Sequence, residues 1–378
     1  MRIAVIADDL TGALDTGVQF TQWGYSTQLV DSPEEGTAEV IIINTDTRNK
    51  SPEEAYRTTY AVAMKIDADL VYKKTDSTLR GNPGPELQAI LDALGEDKVV
   101  FTPTYPPTGR RVKDGHLYVY DKPITETEYI AEYRQKTSFI PDILESKTPV
   151  HIVTDPRDTL AEGINIFDSE TESDLNKITI HQTRVMAGSA GLADAICQRL
   201  RNPPPVLSIV GSMRAETRTQ TAFLRDRLGA DLIPLDTHAA LNESPQEILA
   251  EAEAALTEGR DVVVTSNLSP EAIKEALEEA RRLNLSSNIV EKRITEALAG
   301  VAEALLPLNL SGVIITGGAT ALAVKNRIKI ENIMILDEVQ PGVPVLKLDN
   351  IPAITKAGGF GQPDTLIQAT KYLKRKHR

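Results

Sequence analysis

The sequence predicts an α/β protein of two domains, each a mainly parallel sheet flanked by helices. Three observations carry that expectation. Short β-branched runs alternate with helical patterns along the chain, the order of doubly wound sheets with right-handed crossovers. The runs are apolar throughout rather than alternating, which suits strands covered on both faces. At 378 residues the chain exceeds what one core comfortably organises.

Taken in order, the first half offers "IAVIA" from Ile3, "EVIIIN" from Glu39, "LVYKK" from Leu70, "KVVFTP" from Lys98 and "PVHIVT" from Pro149. The second offers "VLSIVG" from Val206, "DVVVTS" from Asp261, "GVIITG" from Gly312 and "VPVLKL" from Val343, read as parallel strands like the rest. Helices between them have legible starts. "SPEE" at Ser51 and "SPQE" at Ser244 place Ser as N-cap, Pro at the first helical position and Glu three after the Ser; "SPEA" at Ser269 keeps the Ser-Pro start. "RNPPPV" from Arg201 cannot continue a helix and predicts the boundary, giving domains 1–202 and 203–378. The region from Tyr105 to Ile140, rich in Pro, Tyr and charge, is too long for a plain connection and reads as a functional excursion or lid. The basic end "KYLKRKHR" reads as a solvated final helix turn rather than a nucleic-acid tail.

Composition narrows the function. A hydrophobic share of 41% and a charged share of 25% are ordinary for a globular enzyme. A net charge of −13 argues against nucleic acid or an anionic membrane as the main partner. The single cysteine, Cys197, lies in an apolar stretch and reads as a core thiol; five scattered histidines offer no zinc spacing, and no metal-binding residue is expected. No apolar run approaches the ~18 residues of a membrane span, and the N-terminus reaches acids too soon for a signal peptide, so a cytoplasmic protein is expected.

In open parallel sheets, ligands bind beyond the carboxyl ends of the strands. There the first domain gathers Asp8 and Asp9, then Asp46 and Arg48, then Asp76, Ser77, Arg80 and Asn82, then Arg110 and Arg111. A single charge in such a place more often caps or pairs at the surface than binds a ligand. Four clusters on one edge suit a small polyhydroxy acid, with arginines forking onto a carboxylate and Asp or Asn holding hydroxyls. Successive strand residues point to opposite faces, so one of the two adjacent acids is expected to be catalytic and the other structural. Asp9 also stands where a helix N-cap would. The second domain places glycines after strands instead: Gly211-Ser212, Gly317-Gly318 with a helix starting near Thr320, and Lys356 before Gly358, Gly359 and Gly361. Such glycines let backbone N–H groups approach phosphate oxygens. Neither GxxxxGK[ST] nor GxGxxG occurs.

Together, "IAVIADDLTGALD", "YKKTDSTLRGN", "GRRVKDGHLY", "AGSAGLADAI", "IVGSMRAETRTQ", "ITGGATA" and "TKAGGFG" resemble the four-carbon acid sugar kinase family, in order and over essentially the whole chain. The resemblance implies ATP-dependent phosphorylation of threonate, erythronate or a 3-oxo-tetronate, with Mg²⁺. It also implies a sugar-acid N-terminal domain, a nucleotide C-terminal domain and an active site in the interdomain cleft. Carried over by position, Asp8, Asp9, Arg48, Lys74, Asp76, Arg80 and Arg110 line the sugar-acid side, with Asp9 the preferred base and Asp8 and Asp76 its alternatives. Ser212, Gly317, Gly318, Thr320, Lys356, Gly358 and Gly359 line the ATP side, together with Ala319, which stands where the family often has an acid. The chain is short for the family, and a trimmed connection near the boundary is expected. Expected partners are the sugar acid and ATP, with a homodimer left open and neither nucleic acid nor membrane. Two rivals stand beside the kinase: a non-catalytic sensor, supported by Ala319, and an aspartate-nucleophile phosphatase. The latter would want an acid two residues after its nucleophile, where Leu10 and Thr11 stand.

Overall fold

Parallel strands need long crossovers and hairpins need only two residues, and both kinds of connection occur in this chain. The computed structural model describes residues 1–132, 136–212, 214–235, 240, 246–266, 278, 280–282 and 285–377. It divides into two compact units, Met1–Asn202 and Pro203–Arg378.

In the first unit the strands are β1 (Ile3–Ala7), β2 (Thr27–Val30), β3 (Val40–Asn44), β4 (Leu70–Lys74) and β5 (Lys98–Thr102). A short meander follows, β6 (Arg110–Lys113), β7 (His116–Val119) and β8 (Lys122–Pro123), and then β9 (Val150–Val153), β10 (Gly163–Phe167) and β11 (Val185–Gly188). Eight of these form one parallel sheet in the order β2-β3-β1-β4-β11-β5-β10-β9. Helices cover both faces, and β1 and β4 are buried along their whole length. The helix Pro52–Ala63 begins with the expected capping box: Glu54 N–H donates to Ser51 Oγ at 3.3 Å, and Ser51 N–H donates to Glu54 Oε2 at 3.2 Å. The starts read at Ser244 and Ser269 lie outside the described residues. Cys197 is buried in the helix Ala190–Arg201.

The region read as an excursion or lid is rooted in the core. β6, β7 and β8 form an antiparallel sheet turned at Asp114-Gly115, both with positive φ. Val112, Leu117, Val119, Ile124 and Ile140 are buried in the same cluster as Ile6 and Leu87. Burial of that many apolar side chains anchors the described residues of this region to the core of the first unit.

The second unit contains β12 (Val206–Val210), β13 (Asp231–Leu235), β14 (Val262–Ser266), β15 (Gly312–Thr316), β16 (Ile333–Gln340), β17 (Val343–Leu348) and β18 (Ile351–Lys356). Their order is β13-β14-β12-β15-β18-β17-β16, parallel as far as β18 and antiparallel beyond. "VPVLKL" is therefore not a parallel strand. Only Asp349 and Asn350 separate β17 from β18, and Asp349 has a φ of 50°, so the connection is a hairpin.

The basic end forms the last turns of the helix Thr365–Lys376, and one of its lysines is structural. Lys374 Nζ lies 2.7 Å from Asp261 Oδ2, with only 7% and 9% of the two side chains exposed, while Asp261 Oδ1 accepts from Val206 N–H at 2.9 Å. This pair ties the last helix to the starts of β12 and β14. Among the described residues no helix is long and apolar enough to cross a membrane. Replacing one partner leaves the other charge buried alone, so Asp261→Ala should cost about 3–5 kcal/mol in urea unfolding. Removing both, as Asp261→Asn with Lys374→Met, should cost clearly less. Equal losses in the single and double variants would show that the pair does not matter.

Candidate active site

The register of the first sheet sets Ala7 level with Asn44 on one side and Lys74 on the other. The residues that follow β1, β3 and β4 therefore emerge together at one edge. Asp8 is 1% exposed and grips Arg48 with both oxygens, Nε to Oδ2 at 2.8 Å and Nη2 to Oδ1 at 3.0 Å. The same Nη2 donates to Asp9 Oδ1 at 2.6 Å. Asp9 Oδ1 also accepts from Gly12 N–H at 3.0 Å, which makes Asp9 the N-cap of the helix Leu10–Gln22. Asp9 Oδ2 has no donor among the described residues. The two adjacent acids thus divide the work. Asp8 is a buried clamp on Arg48, and Asp9 keeps one carboxylate oxygen uncommitted on a side chain 24% exposed.

β4 contributes two lysines on opposite faces, as strand alternation requires. Lys74 lies near Gly12, where an added Cβ would stand 3.1 Å from its Nζ, and its ammonium donates to Thr75 O at 2.8 Å. Burial pushes the Lys74 pKa down, against the pull of Asp8, Asp76 and Asp15. Lys73 points the other way, into a fully buried ion pair with Glu86 Oε2 at 3.0 Å, and Thr47 donates to Glu86 Oε1. Burial raises the Glu86 pKa, while Lys73 opposes that shift. Sequence reasoning missed Lys73, Glu86 and Thr47. The adjacent lysines of "YKKTDS" were the available signal, since two neighbours on a buried strand face two different helices.

After β4 the chain turns through Leu79 and Gly81, both with positive φ. Arg80 folds back on Asp76, Nε to Oδ2 at 2.8 Å and Nη2 to Oδ1 at 3.1 Å, and Thr78 Oγ1 donates to Asp76 Oδ2 at 2.5 Å. Against the opposing effect of burial, Arg80, Thr78 and Arg48 hold the Asp76 carboxyl well below its ordinary range. A carboxylate held ionised in this way is a poor proton acceptor, so the geometry sets Asp76 beside Arg80 as its anchor. The Asn82 amide nitrogen donates to Thr47 O at 3.0 Å and Lys50 O at 3.1 Å, bracing the Arg48 loop. Arg48, Lys50, Arg80 and Asn82 line a cavity of about 530 Å³, closed on another side by Leu144 and Glu145. Asp8, Asp9, Lys74, Asp76 and Arg110 do not line it. The Arg110 guanidinium donates to Thr108 O and to Tyr129 Oη and lies 5.4 Å over the Tyr129 ring, so its hydrogen bonds go to its own loop and not to the other candidate residues.

The glycine loops of the second unit also converge. An added Cβ at Gly211 would strike Thr320 Oγ1, and one at Gly358 would strike Ser212 Oγ. Gly317 caps the helix Gly318–Arg327 with a φ of 95°, a left-handed conformation that favours glycine. Beyond these close approaches the loops open outward, with no atom within 4 Å of an added Cβ at Gly318 or Gly359. Thr316 Oγ1, directly before Gly317, is buried without a hydrogen-bond partner. Lys356 is 4% exposed; its Nζ donates to Thr217 Oγ1 at 3.0 Å and approaches Gly358 O at 3.4 Å, and burial lowers its pKa. Ala319 is exposed on the first turn of the helix. Tight packing below, open backbone above and one buried lysine fit a phosphate chain.

Comparison with known proteins divides the chain in the same way. Residues 3–196 match the family model described as a sugar-binding N-terminal domain, and residues 207–366 match that of a nucleotide-binding C-terminal domain. A D-threonate kinase of Salmonella typhimurium is 30% identical, over 99% of this chain and 99% of that one. A D-erythronate kinase of Heliobacterium modesticaldum is 28% identical, over 98% and 97%. A crystal structure from Bordetella bronchiseptica, described as a domain of unknown function with bound citrate and as a domain-swapped dimer, superposes with a TM-score of 0.62 at 28% identity, over 100% of both chains.

The depressed pKa of Asp76 has a sign that can be measured. Its folded value lies below the ordinary 3.8, so the stability it contributes is complete above that value and is withdrawn as pH falls through and below it. Asp76→Asn should therefore be less stable than the wild type near pH 6, and the gap should close towards about pH 2. A gap that stays constant across that range in chemical denaturation would mean that the ionised Asp76 contributes nothing.

Proposed function

This chain belongs to the four-carbon acid sugar kinase family, and we propose that it is an ATP-dependent kinase phosphorylating a hydroxyl of a threonate, erythronate or 3-oxo-tetronate type acid. The observation that carries the reading is Asp9. One of its carboxylate oxygens is fixed by Arg48 and Gly12 N–H, and the other is left to accept a proton. In this reading the substrate hydroxyl loses its proton to Asp9 Oδ2 as its oxygen forms the new bond to phosphorus. ATP supplies the transferred phosphoryl group, and ADP leaves with the cleaved bridging oxygen. Asp8 holds Arg48 in place, and Arg48 and Arg80, which line one cavity, supply positive charge for the substrate carboxylate. The citrate in the Bordetella structure is likewise a hydroxylated carboxylic acid.

The backbone N–H groups around Gly317, Gly318, Gly358 and Gly359, with Ser212 and Thr320 beneath them, would hold the nucleotide phosphates. Lys356 would regain full charge beside them, because an incoming anion opposes the effect of its burial. Among the described residues no three Asp, Glu, His or Cys gather as a metal-ligand group. Mg²⁺ is accordingly proposed to arrive on the nucleotide, in keeping with its habit of binding through phosphates and few protein carboxylates. We assign the protein to the cytoplasm and, following the Bordetella structure, to a homodimer. Ala319 favours a second reading, a sugar-acid and nucleotide sensor without turnover. A coupled assay of ADP release over four-carbon acids, with ATP and Mg²⁺, separates the two: release that depends on an added acid supports the kinase, and binding without release supports the sensor.

Asp9→Asn should lower turnover by roughly 100-fold or more while keeping the helix cap, since Asn caps as well as Asp does. Near-normal turnover would remove Asp9 from the role of base. At the other ligand, Ala319→Asp should tighten ATP by about 1 kcal/mol or lower the Mg²⁺ required, and leave the sugar acid unaffected. Calorimetric titration of both forms at fixed Mg²⁺ measures this. If the wild type binds no ATP and the acid does not restore binding, the kinase reading fails.

A further inference from the structure

Three of the four edges of the two large sheets are blunted, and among the described residues the fourth is bare. β2 and β9 have four residues each, with Gln28 and His151 inside them, and β13 carries Pro234. β16 is different. It is eight residues long, and its first half presents Ile333, Met334, Ile335 and Leu336, which are 45%, 56%, 79% and 56% exposed. Consecutive strand residues face opposite ways, so both faces of the strand are uncovered there. Its inner edge pairs with β17, and among the described residues no strand pairs with its outer edge. The second half is held down, with Asp337 accepting from Tyr372 Oη at 2.8 Å and Gln340 bonded to Gln368 at 2.8 Å. The bare half contains no lysine or proline, and a bulge at Leu336, between Ile335 and Asp337, closes it.

We propose that this edge is the docking surface for a second copy of the same chain, the β16 strands pairing antiparallel across a two-fold axis; this rests on the homodimer assigned above. An isologous pair closes on itself and so satisfies an edge that would otherwise recruit strands without limit. The charges agree. A two-fold near Ile335, on the regular side of the bulge, sets Met334 and Ile335 against apolar residues of the second copy and keeps Asp337 and Glu338, beyond the bulge, away from each other. Cross-strand contacts among these apolar side chains supply the stabilisation that exposed backbone pairing alone would lack.

The test is the molar mass of the full-length protein in solution, by light scattering or sedimentation over a range of concentrations. The wild type should be a dimer. Ile335→Lys sets two like charges together at the axis and should raise the dimer dissociation constant by roughly 100-fold or more. Met334→Glu, on the other face, should also dissociate it. Both sites are exposed, so circular dichroism should be unchanged. Leu14→Lys, in the exposed stripe Leu10, Leu14 and Val18 of the first helix, should leave the dimer intact. A monomeric wild type overturns the homodimer itself. A dimer that survives both β16 substitutions, or that Leu14→Lys dissociates while they do not, overturns the assignment to β16 and leaves the homodimer standing.

Discussion

Two carboxylates at consecutive positions on the tip of a buried strand repel each other, and the sugar-side site depends on how Arg48 relieves that repulsion. One guanidinium spans both acids, donating two bonds to Asp8 and one to Asp9. Asp8, at 1% exposure, has both of its oxygens bonded to that guanidinium, as a buried polar group requires. Asp9, sharing the same cation, is fixed through one oxygen only. The arrangement orients a carboxylate without saturating it, which is what a proton acceptor needs.

Arg48 is itself held by what lies beneath it. Its loop is pinned to the sheet by Thr47 and Arg48 N–H groups donating to Asp8 O at 3.0 and 3.2 Å, and from the side by Asn82. Below the loop, Thr47 reaches the buried Glu86–Lys73 pair. Such a pair is weak evidence for stability, because desolvation offsets most of the Coulomb gain. Its directionality matters more: Lys73, Glu86 and Thr47 join β4, the helix Pro83–Leu94 and the Arg48 loop through specific hydrogen bonds that apolar packing would not fix.

Much of the fold was legible because buried parallel strands are continuous apolar runs, and the first-unit runs read from Ile3, Glu39, Leu70, Lys98 and Pro149 are all strands of one sheet. β10 and β11 were not read, since "GINIF" and "VMAG" are short and interrupted by Asn or Gly, which suits an interior place only in context. The anchoring of the meander was hidden for another reason. Its Asp114-Gly115 turn is a strong hairpin signal, but the surrounding charge and proline hid the apolar residues that anchor it. At the site, residue types at strand ends were enough to assemble Asp8, Asp9, Arg48, Lys74, Asp76 and Arg80. They could not show that Arg110 turns to Tyr129, nor that Asn82 serves the backbone, because a side chain's partner depends on loop conformation that spacing does not encode.

The second unit handles charge by the opposite means. Where the first relies on paired side chains, the glycine loops rely on the absence of side chains. Gly211 and Gly358 are needed because Thr320 and Ser212 already fill the space a Cβ would take, and Gly317 because its φ is left-handed. Gly318 and Gly359 meet no such obstacle, so packing does not explain them. A glycine that neither packing nor φ requires keeps its backbone N–H approachable, and that is an advantage only if something must approach it. Those two unforced glycines, beside a buried lysine and an unpartnered threonine hydroxyl, make this surface suited to an anion even where Ala319 offers no side chain to help.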